Sequence, residues 1–339
     1  MIFVTGATGL IGSHLAYHLV SQGHPVIALK RTNSNTDSTF EIFKIYSQQP
    51  EQDFNKIQWV EGDVTDIFSL MDALQGVDEV YHCAGLVSFN NKDAKKLMQV
   101  NAEGTANIIN AALECKVKKF CHVSSVATIP NPDKKPVIDE SIYWKASPSN
   151  SYYAISKYGG EREAWRGAEE GLNVVIVNPT VVLGTGCWGQ TSGQMISAAY
   201  KGLLFYTEGI TGYVDVRDVV KSMVELMNKN CFNKRYILNA ENLNYKQVFD
   251  LIHRNFNRPL PKIKANRFVL RLAAMADKLS ASLSGKPRRI TKELIHSALG
   301  TSIYSNKKIT AQTGIQFIPI AESVKHICAF YPENNPEYW

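Results

Sequence analysis

The chain has 339 residues, which predicts one large domain and a smaller one. Its composition, 45% hydrophobic and 20% charged, is that of an ordinary globular protein. The net charge of +6 is spread along the chain, and so small an excess argues against a nucleic-acid partner. Six cysteines without a C-x-x-C pair predict reduced thiols and a cytoplasmic location. The first apolar run begins at residue 2 and no run of 18 apolar residues occurs, so we expect neither a signal peptide nor stable membrane insertion.

The chain opens with a short apolar run, a glycine-rich turn and an apolar-periodic helix. The run is Ile2–Thr5, the glycines are Gly6, Gly9 and Gly12, and the helix begins near Leu10. In this strand–turn–helix order, backbone N–H groups and a helix N-terminus can receive a pyrophosphate. The spacing is G-x-x-G-x-x-G and not the more familiar G-x-G-x-x-G, so the turn needs support from residues downstream.

Short apolar runs then alternate with helical patterns over the first 180 residues. We predict strands at Ile2–Thr5, Val26–Leu29, Ile57–Val60, Glu79–His82, Phe120–Val123 and Val174–Val177, and helices near Leu10–Ser21, Ile67–Leu74, Lys92–Cys115 and Tyr152–Glu170. This alternation predicts an α/β protein with a doubly wound parallel sheet, a Rossmann fold. Ligands of such a sheet bind at the carboxyl ends of its strands.

After residue 178 the pattern loosens and becomes mainly helical, which predicts a smaller substrate-binding lobe. We assign residues 1–178 plus 212–240 to the dinucleotide-binding domain and residues 179–211 plus 241–339 to this lobe. One predicted helix, residues 267–283, has an apolar stripe formed by Phe268, Leu272, Met275, Leu279 and Leu283. We interpret the stripe as a face packed over the substrate cleft, with contact to a membrane surface or an apolar substrate as the alternative.

A tyrosine and a lysine four residues apart carry the predicted chemistry. Tyr153 and Lys157 share one face of their helix, and the strand before it ends in Ser124-Ser125. Free tyrosine has a pKa of about 10 and is a poor proton shuttle at neutral pH. A cation about 4 Å away would lower that pKa by roughly three units at an effective dielectric near 20, before solvent weakens the effect. The pair therefore predicts an acid/base centre with Tyr153 as the acting group.

Two strand ends bear on the cofactor. Asp63 follows the third strand and can accept from an adenine amino group, while Asp66 is better placed to cap the next helix. Arg31 follows the second strand, where no acidic residue occurs until Asp37. A guanidinium can pair with a 2′-phosphate, which favours NADP. The alternative, an arginine stacked on adenine in an NAD enzyme, remains open.

The sequence resembles the extended short-chain dehydrogenase/reductase superfamily, the NAD-dependent epimerase/dehydratase family, over nearly its whole length. Within it, the chain is most similar to the dihydroflavonol 4-reductase and 3β-hydroxysteroid dehydrogenase group. The matching segments are Thr5-Gly6-Ala7-Thr8-Gly9-Leu10-Ile11-Gly12, Asp63-Val64, His82-Cys83-Ala84-Gly85, Val100-Asn101-Ala102-Glu103-Gly104-Thr105, Ser124-Ser125, Tyr153 with Lys157, and Asn178-Pro179-Thr180-Val181-Val182-Leu183-Gly184.

The resemblance implies roles for these residues. Tyr153 would be the acid/base, Lys157 would tune it and hold the nicotinamide ribose, and Ser125 would bind the substrate oxygen, with Ser124 as the alternative. Pro179 and Val182 would line the nicotinamide, and Asn101 would fix the surrounding helix and strand. The remaining implied cofactor contacts are Gly6, Thr8, Gly9, Leu10, Ile11, Gly12, Arg31, Asp63, Val64, Cys83, Ala84 and Gly85, and no metal is implied.

Departures from the family pattern narrow the set of reactions that we expect for this chain. Family dehydratases carry Thr-Asp-Glu where this chain has Ser124-Ser125-Val126, so elimination is disfavoured. Many nucleotide-sugar epimerases carry arginine at the position of Asn178. We therefore predict an NAD(P)-dependent reductase of ketones or aldehydes. The alternatives are a nucleotide-sugar epimerase with tightly bound NAD and, from a different class, a non-catalytic NADP-sensing protein.

Three further expectations concern the substrate pocket, a possible metal site and the oligomeric state. We expect a small-molecule substrate in a mixed aromatic and polar pocket formed by Trp188, Gln190, Ser192, Phe205, Tyr206 and Tyr213. His14 and His18 share the spacing of zinc ligands, but without a third ligand we interpret them as a solvated helix face. The resemblance allows a homodimer through the helices that follow the fourth and fifth strands.

Overall fold

A computed structural model describes residues 1–131, 135–189, 192–284 and 291–332. Its strands are β1 (Ile2–Thr5), β2 (Val26–Lys30), β3 (Ile57–Glu61), β4 (Glu79–His82), β5 (Lys119–Val123), β6 (Asn173–Pro179), β7 (Val181–Leu183), β8 (Phe205–Tyr206), β9 (Ile210–Asp215), β10 (Lys234–Leu238), β11 (Glu241–Asn244) and β12 (Ile263–Lys264). The predicted strands are confirmed to within a residue or two, because buried apolar runs bounded by turn residues can be recognised from the local sequence.

The helices are α1 (Leu10–Ser21), α2 (Asp37–Tyr46), α3 (Pro50–Phe54), α4 (Ile67–Ala73), α5 (Ala94–Leu97), α6 (Gly104–Glu114), α7 (Tyr152–Glu169), α8 (Gly193–Tyr200), α9 (Val216–Asn228), α10 (Tyr245–Asn255), α11 (Arg267–Ser284), α12 (Lys292–Leu299), α13 (Lys307–Thr313) and α14 (Ile320–Ala329). The predicted helix over residues 92–115 is wrong as a single α-helix. A π-helical turn, Met98–Glu103, separates α5 from α6 and contains Asn101.

A seven-stranded parallel sheet forms the centre of the molecule, in the order β10-β6-β5-β4-β1-β2-β3. One face is covered by α1, α2 and α9, with Leu15, Phe43 and Met223 in the core. The other is covered by α4, α6 and α7, with Leu70, Ile108 and Ala164. This is the predicted doubly wound Rossmann fold, and the order reverses between β1 and β4.

Two smaller sheets, β11-β9-β7 and β12-β8, lie beyond β6 in the chain. A third core formed by Leu183, Trp188, Ile252 and Val324 joins α8, α10 and α14 to them. The C-terminal segment also returns to the main sheet, since Ile309 and Ile315 belong to its core. The division into two lobes at the predicted boundaries stays a prediction.

The apolar stripe of α11 does not pack as predicted. Phe268, Leu272 and Met275 are 69%, 50% and 68% exposed. The half-buried positions of this helix include the neighbouring Val269, Leu270 and Ala273. The side chains of Leu279 and Leu283 lie outside the described residues. Across the described parts of the chain, no helix is both long and apolar enough to cross a bilayer.

Candidate active site

The glycine turn lies at the carboxyl end of β1, beside the end of β4, where the strand order reverses. Ligands bind at such switch points in doubly wound sheets. Cys83 and Ala84 reach the turn directly, since the Cys83 N–H donates to the Thr5 carbonyl at 3.2 Å and the Ala84 N–H to Thr5 Oγ1 at 3.1 Å. The residues that follow β1 and β4 therefore form one edge of a cleft.

Steric demand explains two of the three glycines. Gly6 has φ +66°, and a Cβ there would lie 2.6 Å from the Ala84 nitrogen. A Cβ on Gly12 would lie 2.2 Å from the Gly6 carbonyl oxygen, so a side chain would push α1 off the turn. Gly9 precedes α1 and cannot cap it with a side chain. The first-turn N–H groups, which include those of Leu10 and Ile11, are thus left for an anion, and this fits a dinucleotide pyrophosphate.

The other predicted cofactor residues follow neighbouring strands. Arg31 is exposed and directly follows β2. Asp63, after β3, accepts from the Thr65 N–H at 2.9 Å, and Asp66 caps α4 by accepting from the Phe68 N–H, as expected. Val64 is buried in the core under α6. Thr8 lies in the glycine turn, where its carbonyl accepts from Ser38 Oγ at 3.1 Å.

Asn101 anchors the segment that follows β4. Its Oδ1 accepts from the Leu86 N–H at 2.7 Å, and its Nδ2 donates to the Leu86 carbonyl and to Ser156 Oγ, both at 2.9 Å. The π-helical turn gives this buried amide its position between the β4 end and α7. A Cβ on Gly85 would lie 3.4 Å from Asn101 Oδ1 and 3.5 Å from Lys157 Nζ, so Gly85 keeps this part of the cleft open.

Tyr153 and Ser125 meet at the carboxyl end of β5. The Ser125 side chain is a polar neighbour of the Tyr153 side chain, while Ser124 is buried and donates to Glu161 at 2.6 Å. The Phe89 ring packs edge-on against the Tyr153 ring, with centroids 5.7 Å apart. Phe89 is 44% exposed, and sequence analysis had not singled it out. Ser125, rather than Ser124, is therefore the serine hydroxyl beside the tyrosine.

The expected lowering of the Tyr153 pKa is not found. Burial raises the pKa of Tyr153, and the neighbouring Ser125 side chain offsets this in part. Lys157 shares the helix face, but its Nζ donates to the Val123 carbonyl at 2.6 Å. Burial lowers the pKa of Lys157 to about 8. Tyr153 and Lys157 share one face of α7, as predicted, but the Lys157 ammonium group points to the backbone of β5.

A buried carboxylate that the sequence analysis missed lies one turn after Lys157. Glu161 is 1% exposed, and it receives hydrogen bonds from Ser124, Thr128, Asn178 and Arg235. The signal that could have found it is its spacing, since Tyr153, Lys157 and Glu161 stand four residues apart on one helix.

Two of the remaining interpretations are wrong. His14 is buried, with its ring nitrogens bonded to the Leu10 carbonyl at 2.8 Å and to Thr185 Oγ1 at 3.2 Å, so it does not belong to a solvated face. Trp188 and Tyr213 are core residues, because α8, α10 and α14 close over them.

The other predicted pocket residues are spread between buried and exposed positions. Ser192 is buried and donates to the Val182 carbonyl, whereas Phe205 is exposed and Tyr206 half-buried. Gln190 lies outside the described residues. Pro179 ends β6 and Val182 lies in β7, both near the strand end that bears Asn178.

The fold and this cleft define a dinucleotide-dependent enzyme of the Rossmann class. The model of the NAD dependent epimerase/dehydratase family matches residues 2–239, and the chain belongs to that family. A Synechocystis sp. protein provisionally named dihydroflavonol 4-reductase is 30% identical, with 84% of this chain and 81% of the relative covered. Cinnamoyl-CoA reductase 1 of Petunia hybrida is 27% identical over 77% of this chain and 79% of its own. The chain is thus an NAD(P)-dependent oxidoreductase.

Solved structures agree in fold. The crystal structure of gox2253 is 28% identical, with a TM-score of 0.79 and 97% of each chain covered. Yeast methylglyoxal/isovaleraldehyde reductase Gre2, complexed with NADPH, is 19% identical, with a TM-score of 0.72 and 97% of each chain covered. A nucleoside-diphosphate-sugar epimerase from Pseudomonas aeruginosa is 21% identical, with a TM-score of 0.77, 100% of this chain and 98% of its own covered. Both reductases and epimerases share this architecture.

Proposed function

We propose that this protein is a carbonyl reductase that transfers hydride between NADP(H) and a ketone or aldehyde. The observation that carries the proposal is the placement of the Ser125 and Tyr153 side chains as neighbours, at the helix face that also bears Lys157 and at the carboxyl end of the parallel sheet where the glycine turn lies. A hydroxyl pair can hold and protonate one carbonyl oxygen, as the reaction requires. The reductase names of the relatives support the same chemistry.

The proposed roles follow from the side chains. When bound, the nicotinamide supplies the hydride. Ser125 holds the carbonyl oxygen and Tyr153 donates its proton to that oxygen as the alcohol forms. Because burial raises the pKa of Tyr153, its hydroxyl keeps the proton at neutral pH, as a proton donor must. Lys157 uses one of its three N–H donors on the Val123 carbonyl and has two left for the nicotinamide ribose and Tyr153.

NADP is the proposed cofactor. Arg31 is exposed and follows β2, where an acidic residue would repel a 2′-phosphate. The uncapped N-terminus of α1 would hold the pyrophosphate, and Asp63 the adenine. A preference for NAD, with Arg31 stacked on adenine, is the alternative.

The proposed substrate side is apolar and aromatic. Phe89 packs on Tyr153, and Asn101 anchors Leu86 on the same segment. Val87 is also exposed on the same segment. A bulky carbonyl compound with an apolar group beside the reacting carbon fits these residues.

The first experiment is NADPH oxidation by the purified protein against a panel of aromatic and aliphatic ketones and aldehydes. Tyr153→Phe should lower turnover by about 10²–10⁴-fold, because it removes the proton donor, and leave NADPH affinity within about twofold. Tyr152→Phe is the matched control, since this neighbouring hydroxyl is 48% exposed and makes no part of the proposed site.

A Tyr153→Phe variant that keeps more than about a tenth of the wild-type rate would contradict the assignment. No turnover, with NAD released from the denatured protein, would favour the nucleotide-sugar epimerase. No turnover with freely exchanging NADPH would favour the non-catalytic NADP-binding alternative.

A further inference from the structure

Glu161 is the centre of a buried polar network next to the candidate catalytic residues. Its Oε2 accepts from Ser124 Oγ at 2.6 Å, from Thr128 Oγ1 at 2.7 Å and from Asn178 Nδ2 at 2.9 Å. Its Oε1 accepts from Arg235 Nη1 at 3.1 Å, and Arg235 is 11% exposed at its side chain. A carboxylate is retained at such depth only when its lone pairs are satisfied, and here donors from β6, β10 and the segment that follows β5 satisfy them.

The same network holds the backbone that carries Ser125. Thr128 Oγ1 also lies 2.9 Å from the Ser125 carbonyl, and Asn178 Nδ2 lies 3.1 Å from it. The Asn178 amide has two N–H donors and can bond to both the Ser125 carbonyl and Glu161, whereas the single Thr128 hydroxyl proton can be given to only one of these acceptors at a time. The position of the Ser125 hydroxyl, which meets Tyr153, therefore depends on the Glu161 carboxylate.

Arg235 is itself anchored. Its Nη2 donates to the Glu140 carbonyl at 2.9 Å and to the Ile142 carbonyl at 2.5 Å. These bonds, together with the one to Glu161, fix the position of the guanidinium. Because β10 pairs with β6, Ile237 lies opposite Asn178, and this brings Arg235 to the same edge as the Asn178 amide.

Glu161 also faces Lys157. The two residues are four apart on α7 and share a face, and the carboxylate opposes the burial that lowers the pKa of Lys157. The other titratable groups around Lys157 are His82 and Cys83 from β4, His122 from β5 and Tyr153 from α7. Burial disfavours the charged form of each of these four. The nearby fixed charges are those of Glu161 and, behind it, Arg235.

We propose, resting on the function proposed above, that Glu161, held by Arg235, is a positioning residue for the catalytic set Ser125, Tyr153 and Lys157. Its carboxylate fixes the turn that presents Ser125, and its negative charge favours the ammonium form of Lys157. The Lys157 ammonium can then meet the ribose and Tyr153 at neutral pH.

The test is a pH titration of the Lys157 side chain by NMR on protein carrying ¹³C at the lysine ε-carbons. The Lys157 signal is identified by its loss in Lys157→Arg. We expect a wild-type midpoint near 8 and a midpoint about one pH unit lower in Glu161→Gln. Glu161→Asp, which keeps the charge, should restore most of the difference. Glu163→Gln is the matched control, because Glu163 lies on the same helix and pairs with Arg166 at the surface.

A folded Glu161→Gln protein with the wild-type midpoint overturns the proposal, because a purely structural residue would change stability without moving the titration. Should Glu161→Gln fail to fold because it leaves the Arg235 guanidinium unpaired, the double variant Glu161→Gln/Arg235→Gln removes both charges of the ion pair. Its Lys157 midpoint should still lie below that of the wild type, since Glu161 is the nearer of the two charges, and an unchanged or higher midpoint overturns the proposal. The titration needs neither cofactor nor substrate, so its failure is distinct from failure of the NADPH oxidation assay.

Discussion

The two ends of the candidate cleft are built in different ways. The phosphate end is a turn of consecutive residues, Thr5 to Gly12, in which the absence of side chains matters. The catalytic end is assembled from β5, β6, β10 and α7, and there the placement of side-chain charges matters. One end is therefore sensitive to an added methyl group, and the other to a changed charge.

Gly12→Ala should disrupt the phosphate end and should have the largest effect of the three substitutions. Its Cβ would lie 2.2 Å from the Gly6 carbonyl oxygen, and moving backbone atoms to relieve this clash costs free energy. We expect a loss of about 1–3 kcal/mol in the free energy of unfolding and about a hundredfold or greater loss of NADPH affinity. Urea denaturation and NADPH fluorescence titration measure the two. Gly189→Ala is the control, since a Cβ there meets no atom of the described residues within 4 Å. Wild-type affinity in Gly12→Ala would contradict the steric account.

Arg31→Ser should test how the protein binds the cofactor's 2′-phosphate, independently of how it binds the pyrophosphate. Losing charge-assisted hydrogen bonds to the 2′-phosphate should weaken NADPH binding about 10–100-fold and leave NADH binding unchanged. Dissociation constants for both nucleotides, with Arg254→Ser on the exposed face of α10 as control, provide the measurement. Equal weakening of both nucleotides, or no weakening of either, would contradict the NADP assignment.

His122→Phe should have the smallest effect, at the catalytic end. His122 is buried beside Lys157, and burial holds its pKa well below the ordinary 6.5. Below about pH 6.5 the His122 imidazole binds a proton in the unfolded chain but not in the folded chain, so stability falls as the pH falls. This histidine contributes about 2 kcal/mol of that loss between pH 7 and pH 5.

The measurement for His122→Phe is the free energy of unfolding at pH 7 and at pH 5. The difference between the two values should be about 2 kcal/mol smaller in the variant than in the wild type. His24→Phe, at an exposed position, should keep the wild-type difference. An unchanged difference in His122→Phe would show that the imidazole is protonated in the folded protein.

Local patterns determined much of this protein. The glycine turn, the predicted strands and the Tyr153–Lys157 spacing were legible because strand and helix periods place neighbouring residues by short-range geometry. They sufficed for the Rossmann fold and for the family. They also correctly identified Asp66 as the cap of α4.

Tertiary structure decided what depends on residues distant in sequence. Arg235 reaches Glu161 only because β10 pairs with β6, and Lys157 is drawn to the Val123 carbonyl because α7 packs over β5. Likewise His14 is buried by Thr185, and Trp188 and Tyr213 are enclosed by the closing helices. Burial and long-range charge set the pKa values of such groups, and neither is encoded in the spacing of residues along one helix or strand.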